Sequence, residues 1–166
     1  RPSYSKMNKL KNLIFSAYLA GVIDSDGSLG FTKRNHRTTK GGVSYRAIFQ
    51  LQWTNNRKSR KVMASIKKQY GGSFTVCKHR SGFKTQTSII KMCIDGFAMI
   101  KLLSDVIPYL KLKKPQATAI LKFLLKRYKN KRSPYGRGVK PRWAWKQEEV
   151  LYTKIKRLNI KNSKND

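Results

Sequence analysis

From position 10 to position 24 the chain is apolar around almost the whole circumference of a helix. Leu10, Leu13, Ile14, Ala17, Tyr18, Gly21 and Val22 recur at helical spacing, and Phe15, Leu19 and Ile23 form a second row. The segment is therefore predicted as one helix. Without a wide polar face such a helix must be covered on two sides. A chain of 166 residues makes one ordinary domain whose core covers one side, and a second subunit is the natural cover for the other.

After Asp26-Gly27 the hydrophobic period falls to about two. Strands are predicted at 28 to 36 and 45 to 54, with Tyr45, Ala47, Phe49, Leu51 and Trp53 on a core face and Arg46, Ile48, Gln50, Gln52 and Thr54 on a polar one. Val62, Met63, Ile66 and Tyr70 mark a helix stopped by Gly71-Gly72, where a positive φ is commonly needed. Further strands are predicted at 73 to 80 and 85 to 94. Phe97, Ile100, Leu103 and Ile107 mark the next helix, and Pro115 opens another that runs to Tyr128. Residues 129 to 142 are basic and broken by Pro and Gly, so they are predicted as a loop before a last helix at about 143 to 158. The fold class is α+β in one domain, 1 to 166, with its core at about 10 to 130.

Charge narrows the partner. Against 38 Lys and Arg stand seven Asp and Glu, a formal charge of +31, which points to a polyanion and first to nucleic acid. A ribosomal-type or membrane-surface protein would concentrate its basic residues in tails or on one amphipathic helix; here they run through the patterned segments. Cys77 and Cys93 are isolated, which indicates neither a zinc site nor a disulfide framework. No apolar run approaches the roughly 18 residues of a membrane span, and the start lacks the apolar core of a secretory signal, so a soluble intracellular protein is expected.

Residues 19 to 30 read Leu-Ala-Gly-Val-Ile-Asp-Ser-Asp-Gly-Ser-Leu-Gly. Read alone, Asp24 to Gly27 is an ordinary helix-ending turn. Yet two carboxylates within three positions, in so basic a chain, would repel phosphate unless they held a metal. Gly21 costs a helix interior about 0.5–1 kcal/mol, acceptable where a second backbone approaches closely, as Ala17 would also allow.

The segment resembles the LAGLIDADG motif, and the chain from about 12 to 128 is similar to the single-motif LAGLIDADG homing endonucleases. That resemblance implies an αββαββα fold with a saddle-like antiparallel sheet. It implies a homodimer with Ala17, Ala20, Gly21 and Asp24 at the interface, and an enzyme that cuts a long pseudo-palindromic DNA site. It implies Mg²⁺, with Mn²⁺ as a substitute, held by Asp26 with the Ser25 carbonyl assisting, while Asp24 caps or braces the helix end. The metal would activate water and stabilise the leaving oxygen. Asn55 and Lys113 match the polar residue and the lysine that complete the family's site. A shift of one or two residues selects Gln52 or Thr54 instead, and Lys111 and Lys114 flank Lys113. An organelle, archaeal or bacterial origin in an intron is also implied.

A twisted sheet that enters the major groove presents its non-core face to base edges. Thr32, Arg34, His36, Arg46, Gln50 and Gln52 alternate onto that face, with Thr75, His79, Thr85, Thr87 and Lys91 on the later strands. Any one of these could also be ordinary strand surface. Arg137 and Lys140, with Lys33, Lys40, Arg80 and Lys84, are expected at phosphates. Two alternatives use the same fold: an intron RNA maturase, and a DNA-binding regulator that does not cut.

Overall fold

The computed structural model describes residues 4–35, 43–78, 88–128 and 142–162. The element order is α1 (Tyr4–Ser25), β1 (Ser28–Asn35), β2 (Val43–Thr54), α2 (Arg57–Tyr70), β3 (Ser73–Lys78), β4 (Ser88–Asp95), α3 (Ala98–Val106), α4 (Lys114–Tyr128) and α5 (Arg142–Asn162). The four strands form one antiparallel sheet in the order β1-β2-β4-β3. This is the α+β class and the helix-and-hairpin order that the sequence predicts.

Strict alternation sorts the two faces of the sheet. Leu29, Phe31, Tyr45, Ala47, Phe49, Leu51, Ile90, Met92 and Ile94 are buried on one face. Leu19 and Ile23 of α1, Met63 and Ile66 of α2, Leu102 and Leu103 of α3, and Ile120 and Leu124 of α4 join them in one core. Each such side chain, fully buried, contributes about 1.5–3 kcal/mol before entropy is counted. All helices from α1 to α4 thus back one face of the sheet and leave the other bare.

Local chemistry fixes the boundaries. Asn56 caps α2 by accepting from the Ser59 amide at 2.9 Å, which starts the helix ahead of its first apolar residue. Gly71 and Gly72 both have positive φ, and a Cβ on Gly72 would stand 2.6 Å from the Cys93 carbonyl oxygen. The C-terminal helix is longer than predicted at both ends. It packs on β1 and α4 through buried Ile155, and the Asn159 amide donates to the Leu29 carbonyl at 3.3 Å. The sequence reading gave this helix no role; it closes the outer edge of β1.

Candidate active site and nucleic-acid interface

The site begins where α1 stops. The amides of Asp26 and Gly27 both donate to the Val22 carbonyl, at 2.9 and 3.0 Å. Gly27 is buried, and a Cβ there would sit 2.8 Å from Ile23 Cα and 3.0 Å from a Phe49 ring carbon, so only glycine lets the turn lie this close to the sheet. Asp24 turns back onto its own chain: its carboxylate accepts from the amides of Lys111 at 2.7 Å and Lys113 at 2.9 Å. These bonds tie the end of α1 to the segment that leads into α4.

Lys113 caps the helix end. Its ammonium donates to the carbonyls of Ile23 at 2.7 Å, Gly27 at 2.8 Å and Asp24 at 2.9 Å, and lies 3.5 Å from that of Ser25. An ammonium has three protons, so these partners occupy it fully, and its charge meets the negative end of the helix dipole. Burial lowers its pKa from the usual lysine value, while Asp24 and Asp26 pull the other way. Its neighbours Lys111 and Lys114 are exposed.

Asp26 is exposed, and one of its oxygens accepts from the Trp53 indole N–H at 2.9 Å. Asn55 does not stand in this way: its side-chain amide donates to Ser88 Oγ at 2.9 Å, and its oxygen accepts from the Arg60 guanidinium at 2.6 Å. Both ends of that side chain serve the junction of β2, β4 and α2. Trp53, two positions earlier, is the residue that sequence reasoning missed. The available signal was that a half-buried indole needs an acceptor for its N–H, and acidic residues are scarce in this chain.

Among the described residues no group of three or more His, Cys, Asp or Glu could enclose a metal. The donor set nevertheless suits Mg²⁺, which takes one or two carboxylates with water and substrate phosphates rather than an all-protein cage. Asp26 is exposed and has a second oxygen without a partner among the described residues. Of the carbonyls around Lys113, that of Ser25 is the one most weakly engaged.

Thr32, Arg46, Gln50, Gln52, Thr75 and Lys91 share the bare face of the sheet. The pairings Thr32 with Arg46, Gln52 with Lys91 and Thr75 with Lys91 set them side by side. Arg34 pairs with Ser44 in the same ladder. Sequence reasoning missed Asp95, which lies on this face and forms an ion pair with Arg46. Lys33, expected at phosphate, pairs with Glu149 of α5 at 3.1 Å. His36, His79, Thr85, Thr87, Arg137 and Lys140, with Lys40, Arg80 and Lys84, lie outside the described residues.

The outer side of α1 is equally bare. Leu10 is 57% exposed, Ile14 61% and Tyr18 50%, and a Cβ built on Gly21 would meet nothing within 4 Å. Ala17 lies on this stripe. Ala20 does not: it is fully buried in the chain's own core, one step round the helix.

This architecture is the LAGLIDADG homing-endonuclease fold. The homing endonuclease I-CvuI, solved in complex with its DNA target in the presence of Ca, matches with a TM-score of 0.67 and 21% identity over 90% of this chain and 84% of that one. I-CvuI with the I-CreI target in the presence of Mg, its DNA not cleaved, matches with a TM-score of 0.66. I-SmaMI bound to cleaved DNA matches with a TM-score of 0.60 and 16% identity, over 82% of this chain and 42% of that one. No family model and no curated protein matches the sequence. Among the described residues no helix is long and apolar enough to cross a membrane.

Proposed function

We propose that this chain is a sequence-specific, divalent-metal-dependent DNA endonuclease that acts as a homodimer. One observation carries the reading: an exposed carboxylate, Asp26, is built into a rigid turn at the end of a helix whose outer face is bare and apolar. A twofold pairing of two α1 helices along Leu10, Ile14, Ala17, Tyr18 and Gly21 covers that face and brings two Asp26 turns together. I-SmaMI, less than half of which this chain spans, is long enough to hold two copies of the fold.

Within each subunit the residues divide the work. Asp26 and the Ser25 carbonyl would hold Mg²⁺ or Mn²⁺ against a scissile phosphate, where the ion would lower the pKa of a bound water and neutralise the leaving oxygen. Lys113 fixes the turn. Lys111 and Lys114 supply positive charge beside it. Gln50, Gln52, Thr32 and Thr75 offer neutral hydrogen-bonding groups to base edges, Lys91 and Arg46 suit guanine, and Ile48 on the same face suits a thymine methyl. A homodimer reads a roughly palindromic target. DNA in the I-CvuI and I-SmaMI structures, and Ca or Mg with I-CvuI, support the same partners here.

The test is incubation with a randomised duplex library in Mg²⁺ and in EDTA, with the Asp26→Asn variant alongside, followed by sequencing of new ends. Metal-dependent cuts at one long pseudo-palindrome, lost in the variant, are expected. Tight DNA binding without cuts in Mg²⁺ or Mn²⁺ would establish the non-cleaving regulator instead; preference for structured intron RNA would establish the maturase.

A further inference from the structure

The partner of Asp26 is neutral and comes from the sheet. Among the described carboxylates, Glu149 lies in an ion pair with Lys33, Asp95 with Arg46 and Glu148 with Arg127, while Asp105 lies against the Tyr70 hydroxyl. Asp24 is held by backbone amides. Asp26 is held by the Trp53 N–H; no cation stands within ion-pair distance of it among the described residues, although the Lys113 ammonium is near enough to interact with its charge.

The difference has a physical consequence. A lysine or arginine on Asp26 would cancel the charge that a divalent cation needs and would compete for the same oxygen. An indole N–H fixes the carboxylate rotamer and brings no positive charge of its own to it. It also cannot ligate a metal itself. Trp53 is a rigid donor because its ring is half-buried at the end of β2, packed against the core and opposite Ile90 of β4. The hydrogen bond ties the turn to the sheet, so the oxygen without a partner is presented in a fixed direction. Groups held this way lose less freedom when a ligand arrives.

We propose that Trp53 is a positioning residue for cation binding: its N–H orients the Asp26 carboxylate through one oxygen and leaves the other to a cation. The inference rests on the endonuclease reading above.

The test compares wild type with Trp53→Phe, with Asp26→Asn, and with benzothienylalanine placed at position 53, which keeps the indole shape and replaces its N–H by sulfur. Cleavage of the duplex recovered by the library is measured against Mg²⁺ concentration, and binding to that duplex is measured in EDTA. Mn²⁺ broadening of the indole ¹⁵N–¹H signals is followed on the bound complex; the protein has three tryptophans, and the signal lost in Trp53→Phe identifies position 53. Loss of an outer partner of a metal ligand costs about 10–100-fold in metal affinity or activity. We expect the Mg²⁺ needed for half-maximal cutting to rise about tenfold in both position-53 variants, with DNA binding in EDTA within about twofold of wild type. The Trp53 indole signal should broaden first, and Asp26→Asn should protect it. Wild-type Mg²⁺ dependence in the benzothienylalanine protein, with Asp26→Asn inactive, would overturn the role of Trp53 and leave the nuclease reading standing. Undiminished cutting by Asp26→Asn would remove that reading, and this inference with it.

Discussion

The two long sides of α1 are made from similar residues and meet opposite fates. The inner side, Leu19, Ala20 and Ile23, is fully enclosed by the chain's own sheet and helices. The outer side, Leu10, Ile14 and Tyr18, is as apolar and stands half or more exposed. The two glycines of the motif repeat the contrast: Gly27 has no room for a methyl group, while Gly21 faces open space. An apolar side that folding leaves bare marks an interaction surface, and the inner side shows what the same composition looks like once covered.

That contrast can be broken experimentally. Ile14→Glu should have the largest effect: charge enters the proposed interface twice, and a loss on the order of 4 kcal/mol would raise the dimer dissociation constant about a thousandfold. Analytical ultracentrifugation should find folded monomers, whereas an unchanged dimer would mean that α1 is not the interface. Leu19→Ala, on the inner side, should instead lower unfolding free energy by about 3 kcal/mol in a denaturant melt. Gly27→Ala should cost about 2 kcal/mol, because the added methyl meets Ile23 backbone rather than a movable side chain. Gly21→Ala should go the other way for a single chain, gaining about 0.5–1 kcal/mol of helix stability while it weakens the dimer. If Gly21→Ala also lowered stability at concentrations where only monomer exists, the open space at Gly21 would be refuted.

Much of this was legible beforehand because burial has a period. The change from helical to alternating spacing after Gly27 placed the sheet, and alternation along β2 alone sorted Tyr45, Ala47, Phe49 and Leu51 from Arg46, Gln50 and Gln52. The helix rows were harder. Ala20 is small enough to suit either side, and the rotation that puts it in the core depends on where the sheet lies, which no local pattern encodes. The bonds of the site were the least legible. Trp53 reads as core by its parity, and its polar N–H shows only when the α1 turn is laid over the end of β2. Asn55 and Lys113 were legible as polar groups near the turn, but the partners of their hydrogen bonds were not. Sequence spacing reports which residues share a face, and it is silent on which atoms are already occupied.

The grip on Asp24 has a bearing on how the protein comes to exist. Its two amide partners lie 87 and 89 residues further along, in the segment that leads into α4. Closing so long a loop is entropically costly and slow compared with forming α1 itself. During synthesis, α1 and the whole sheet can therefore be complete while the segment that clamps Asp24 has yet to leave the ribosome. The turn bearing Asp26 is finished only when nearly all of the core is, so the chain gains this turn together with the fold.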